Sequence, residues 1–143
     1  MNTQTYAANT LPSATKPFAT FVPVVGPAMI SAIFLLSGMS KLAAPAMTIG
    51  YIQSVGLPLP SVAFALSAFV EIVGGLALLL GYRTRAVAAA LALFSLATAV
   101  FFHSGLGDQN QFIHFFKNIA MAGGLLQIVA FGGGRLCLDA RDG

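Results

Sequence analysis

Apolar residues fill four stretches of this chain, each about as long as a membrane crossing, and polar residues collect between them. Residues 22–42, 61–81, 86–103 and 112–131 are almost continuous in Ala, Leu, Val, Ile, Phe and Gly. A hydrocarbon core of about 30 Å needs about 20 helical residues, so each stretch predicts one transmembrane helix. Pro23 and Pro27 fit the entry of the first helix, and Gly81 suits the C-cap of the second. Pro45, Gly50, Gly56, Pro58 and Pro60 punctuate the first connection, which has room for a short interfacial helix over 47–55 with Tyr51 at headgroup level. Gly132, Gly133 and Gly134 stop the fourth span. Short connections make successive spans antiparallel neighbours. The predicted fold class is therefore all-α, an integral membrane four-helix bundle. Its single domain covers 21–134, with a flexible N-terminal tail over 1–20 and a C-terminal tail over 135–143.

Composition agrees with this pattern, since 57% of residues are hydrophobic and only 8% are charged. The net charge of +3 does not point to nucleic acid, because the basic residues are scattered rather than gathered into a run. Their distribution instead orients the bundle. Lys16, Arg83, Arg85, Arg135 and Arg141 fall on one side, and Lys41 and Lys117 on the other, which puts both termini in the cytoplasm. The first residues lack the basic-then-apolar layout of a secretory leader and are expected to stay on the protein. Cys137 is the single cysteine, so an intrachain disulfide or a CxxC relay is excluded.

Against this background Glu71 stands out, placed within the apolar run of the second span. A charge at bilayer depth is disfavoured by roughly 2.5–3.5 kcal/mol on insertion scales unless it finds a partner or a proton. Glu71 lies on the order of 15 Å below the outer surface and Lys117 on the order of 8 Å, while Lys41 is in the last turn of the first span. His103 closes the third span and His114 opens the fourth. The unusual polar side chains therefore all belong to the outer half. Ala63, Ser67, Glu71 and Gly75 recur every four residues, as do Ser95, Ala99 and His103, and His114, Lys117 and Asn118 share one helical face. Such stripes are expected to face each other, with Lys41 and Lys117 both in reach of Glu71 and their surplus charge attracting an anion or a polarised oxygen. The plain structural alternative is a Glu71–Lys41 ion pair that fixes helix register, with Asn118 and Gln127 as interhelical hydrogen-bonding glue. His103, Asp108 and His114 could in principle ligate a metal, but their spacing matches no defined site, and no metal is expected.

Four blocks together resemble the DoxX family of small four-span membrane proteins: LSGMSKL, EIVGGLALLLGYRTR, FIHFFKNIAMAGGLLQI and GGGRLCLD. The resemblance runs from about residue 31 to 141 and places Lys41, Glu71, Gly75, Arg85, Lys117, Asn118 and Asp139 at family-type positions. Cys137 stands where the family often has Ser, and the glycine run lacks the family's Pro. The resemblance implies a bacterial plasma-membrane bundle. The family name comes from a subunit of a membrane thiosulfate:quinone oxidoreductase. That implies a quinone ligand, and a partner subunit or soluble redox protein to bring electrons, because the chain itself carries no redox cofactor motif. In this reading Glu71 takes or gives the quinol proton. Lys41 or Lys117 hydrogen-bonds a quinone oxygen, and Asn118, His103 and His114 complete the ligand-binding set. The alternatives are a binder or transporter of a small lipid-like or anionic molecule and a structural or assembly protein. The oligomeric state is left open, a homo-oligomer included.

Overall fold

The computed structural model describes residues 16–134 and 137–140, with side chains for 21–134 and 137–139. Five α-helices follow one another: α1 (Lys16–Ala43), α2 (Pro45–Ser54), α3 (Pro60–Leu80), α4 (Thr84–Phe102) and α5 (Gln109–Phe131), then a short 3-10 turn (Leu138–Ala140). Four helices are long and apolar enough to cross a membrane, namely Phe21–Ala43, Pro60–Leu80, Thr84–Phe102 and Gln109–Phe131. The four-span all-α architecture expected from the sequence is the one observed. The short helix in the first connection is also present, as α2.

Helix α1 pairs with α3 and α4 with α5. Lighter α3–α4 and α1–α5 contacts close the ring, and α2 lies against α3 and the end of α1. Glycines permit the closest approaches, since a Cβ on Gly75 would stand 3.1 Å from Leu35 and one on Gly74 would stand 2.8 Å from Leu91. Small residues at such contacts replace the missing hydrophobic drive between helices in lipid with tight van der Waals packing. Phe34, Leu78, Ala88, Leu91, Ala122 and Leu125 form a close-packed core. These residues lie toward the end of the bundle that carries the α3–α4 turn, so the inner half is solid. The large exposed side chains, such as Leu36, Leu66, Leu93 and Phe131, face outward as a lipid-exposed surface requires.

One expectation needs correction. Helix α1 starts at Lys16, so Pro23 and Pro27 lie inside it rather than at its entry. Interior prolines are tolerated in membrane helices because neighbouring groups re-satisfy the freed carbonyls. The buried Ser31 hydroxyl donates to the Pro27 carbonyl at 2.7 Å, a bond back onto its own helix one turn beyond the proline. Pro23 also packs against Gly134, where a Cβ would approach it to 2.6 Å. Of the expected flexible tail over 1–20, residues 16–20 are instead the first turns of α1, and of the C-terminal tail over 135–143, residues 138–140 form the 3-10 turn. Residues 1–15, 135–136 and 141–143 lie outside the described residues, as do the side chains of Lys16, Arg135 and Arg141.

Candidate functional site

Glu71 projects from the middle of α3 toward the last turn of α1 and is 5% exposed. Lys41 Nζ donates to both carboxylate oxygens at 2.7 Å. Ser37, one turn before Lys41 on the same face, accepts from Lys41 Nζ at 3.0 Å and donates to Glu71 Oε1 at 3.1 Å. The contact is possible because Gly38 lets α1 and α3 approach: a Cβ there would stand 2.6 Å from Ile72 Cγ1 and 3.3 Å from Glu71 Cβ. The pair thus joins residues 30 positions apart in the chain. Sequence reasoning missed Ser37. The available signal was its i, i+4 spacing from Lys41, which places both on one helical face.

The pair does not sit in packed protein. It borders a cavity of about 570 Å³ between α3, α4 and α2, which His103, Tyr51, Val70 and Phe94 also line. Three hydroxyls on its wall are turned to their own helices. Thr48 donates to the Ala44 carbonyl, Ser67 to that of Phe64 and Thr98 to that of Phe94. Their polarity is thereby spent locally, leaving an apolar wall with a polar pole at the Lys41–Glu71 end. Gly74 on α3 meets Leu91 on α4, which sets Glu71 about one turn farther out, near the level of Phe94. His103 then lies on the order of 14 Å farther toward the outer end.

Helix α2 roofs this space. Buried Ile52 anchors it, Tyr51 Oη donates to the Phe102 carbonyl at 2.9 Å, and the Tyr51 and Phe102 rings lie 5.9 Å apart. The sequence placed Tyr51 at the interface but gave no sign that it would tie α2 to the end of α4. Residues such as Leu66 and Phe101 border the cavity and are largely exposed on the lipid side, so the space opens laterally between α3 and α4.

The remaining expected site residues form a separate cluster at the outer ends of α4 and α5. The His103 and His114 rings stack with centroids 5.0 Å apart. His103 Nδ1 is 2.9 Å from Gln111 Oε1, and Lys117 Nζ is 3.0 Å from His114 Nδ1. Asn118, 8% exposed, donates to the His114 carbonyl at 2.9 Å within its own helix. Lys117 therefore does not join Lys41 at Glu71, contrary to the expectation of two amines in reach. The reason is topological: α5 packs chiefly on α4, while the Glu71 pair lies across the bundle between α1 and α3. Of the expected residues, Lys41, Glu71 and His103 share the cavity, and Lys117, Asn118 and His114 stand outside its lining. Asp108 caps α5, its carboxylate accepting from the Gln111 N–H at 2.9 Å. One amine per carboxylate leaves the polar pole electrically neutral. It suits an uncharged oxygen better than an anion.

Comparison with known proteins points the same way as the motifs. The DoxX family model matches residues 25–104, which takes in Lys41, Glu71 and His103. Inner membrane protein YqjF of Escherichia coli (strain K12) is 34% identical over 107 residues, covering 75% of this chain and 81% of its own length. Inner membrane protein YphA of the same organism is 31% identical over 114 residues, covering 76% and 81%. No solved structure matches the chain.

Proposed function

The chain belongs to the DoxX family of multi-pass inner-membrane proteins, and from that premise we propose that it is a quinone-interacting subunit of a membrane oxidoreductase complex. The observation that carries this reading is the neutral Lys41–Glu71 pair at the closed end of an apolar cavity that opens sideways to lipid. Its volume of about 570 Å³ falls within the usual range of small-molecule sites, roughly 300–1,000 Å³. A quinone reaches such a site through the bilayer and carries two electrons and two protons per cycle, the electrons coming from a partner redox protein. A ring oxygen takes the Lys41 N–H that otherwise serves Ser37 Oγ, while Glu71 keeps the ammonium in place. Glu71 is also the group able to hold a proton at that depth, where the aqueous phase is remote. Val70 and Phe94 enclose the ring, and the lateral opening leaves the tail in lipid.

The anion-transport reading loses its motive, because the second amine is not at the cavity. A scaffold reading retains one observation in its favour, since the pair staples α1 to α3. A short-tail naphthoquinone titrated into the full chain in nanodiscs separates the two. Lys41→Met or Glu71→Gln should weaken binding about 10–100-fold, as loss of a charged hydrogen bond implies, and Lys117→Met should leave it unchanged. Absence of saturable binding to the wild type, or equal binding by all four proteins, overturns the quinone reading.

A further inference from the structure

A second cavity, of about 680 Å³, lies at the opposite end of the bundle, among the α3–α4 turn, the end of α5 and the C-terminal turn. Arg83, Arg85, Phe131 and Asp139 border it, together with the glycines that follow α5. Arg83 adopts a left-handed backbone, φ 44° and ψ 43°, which L-residues other than Asn and Asp rarely accept. Glycine would relieve that strain but would carry no guanidinium. The conformation is held by Asp139, whose two carboxylate oxygens accept from the Arg83 and Thr84 backbone N–H groups at 2.6 Å each. Asp139 N in turn donates to the Gly81 carbonyl at 3.0 Å. The carboxylate is thus engaged by backbone rather than by the guanidinium groups. Among the described residues neither arginine forms an ion pair.

Glycine keeps the floor of this cavity low. A Cβ on Gly132 would lie 3.7 Å from Arg85 Nε, so the guanidinium rests directly over bare backbone. Phe131 on its lining is 79% exposed and Tyr82, next to Arg83 in the chain, is 56% exposed, as aromatic side chains at a membrane–water boundary are. The site therefore combines two cations, a backbone platform and interfacial rings at the ends of three membrane-crossing helices.

We propose that this cavity binds the phosphodiester headgroup of an anionic lipid of the inner leaflet, with Arg83 and Arg85 as its charge partners and Phe131 bordering the acyl chains. A phosphate group is the shared chemistry, and the lipid is the favoured source because the rim is apolar and lies at headgroup depth. The reading is independent of the ligand assigned to the outer cavity.

Native mass spectrometry of the full chain released from nanodiscs of equal phosphatidylglycerol and phosphatidylcholine content tests it. The wild type should retain phosphatidylglycerol in preference to phosphatidylcholine, and each arginine removed should lower that preference about fivefold. Arg85→Gln is the primary variant, because its backbone is regular helix and it forms no ion pair among the described residues. Arg83→Lys, which keeps the charge and the backbone strain, should retain most of the preference. Equal retention of the two lipids by the wild type, or an unchanged preference in Arg85→Gln, overturns the proposal. So does inorganic phosphate alone raising the melting temperature as much as phosphatidylglycerol vesicles do, because that outcome identifies a free-anion site.

Discussion

Glu71 in the outer half of the bundle and Asp139 at its inner end are satisfied in opposite ways. Toward the inner end, Leu78, Leu91 and Leu125 are at most 1% exposed, and the helices meet as a close-packed solid. Asp139, at that end, is satisfied by backbone N–H groups at the start of α4. In the outer half Glu71 is satisfied by side chains from another helix and looks onto unfilled space. A carboxylate that only closes a helix end can use donors the fold already leaves over. One placed in mid-membrane must recruit its own partner, at the expense of desolvating both charges. The two carboxylates therefore depend on different things, one on a helix end and the other on a side chain thirty residues away.

Breaking the outer pair unequally should give the largest effect. Lys41→Met strands a buried carboxylate and should destabilise the protein by roughly 3–5 kcal/mol, measured by thermal unfolding in micelles. The double replacement Lys41→Met with Glu71→Leu removes both charges and should recover most of that loss. A double variant as unstable as the single one would show that the pair contributes packing rather than charge compensation.

The next effect probes how tightly the pair's surroundings are built. Gly38→Ala inserts a methyl group 2.6 Å from Ile72 Cγ1 and should destabilise by about 1–3 kcal/mol through overpacking. Gly123→Ala has nothing within 4 Å of the new Cβ and should be neutral or stabilising by up to about 1 kcal/mol. Similar unfolding temperatures for the two variants would place slack, not close contact, at the α1–α3 seam.

The four spans and α2 were legible because long apolar runs and Pro/Gly punctuation depend only on local sequence. Glu71 and Lys41 were legible for a related reason: each is conspicuous in an apolar run, and their depths can be counted along a helix. What could not be read was azimuth. Helical spacing put His114, Lys117 and Asn118 on one face of α5, but it could not say that this face meets α4 and the end of the bundle rather than Glu71. The entry prolines misled for another reason. Pro23 and Pro27 suit a helix entry when the chain is read locally, whereas in the folded protein α1 begins at Lys16 and runs through both of them. Tyr51's bond to the Phe102 carbonyl joins residues 51 positions apart, a distance that no local pattern encodes.

The inner carboxylate supplies the smallest and most diagnostic test. Hydrogen bonding from Thr84, then the Arg83 backbone N–H and its guanidinium charge, holds Asp139 below the usual carboxylate range. A lowered folded-state pKa favours the ionised form, so its stabilisation is complete above the unfolded value, about 3.9. It then fades as pH falls through the lowered one. The melting temperature of the wild type should therefore exceed that of Asp139→Asn by a constant margin from pH 8 down to about pH 5, and the gap should narrow below about pH 4. Cys137 does not confuse this reading, since burial pushes its thiol up, away from the acid range. A gap that persists unchanged to pH 3 would mean that Asp139 acts by shape alone, and the contrast between a carboxylate held by backbone and one held by an amine would lose its electrostatic basis.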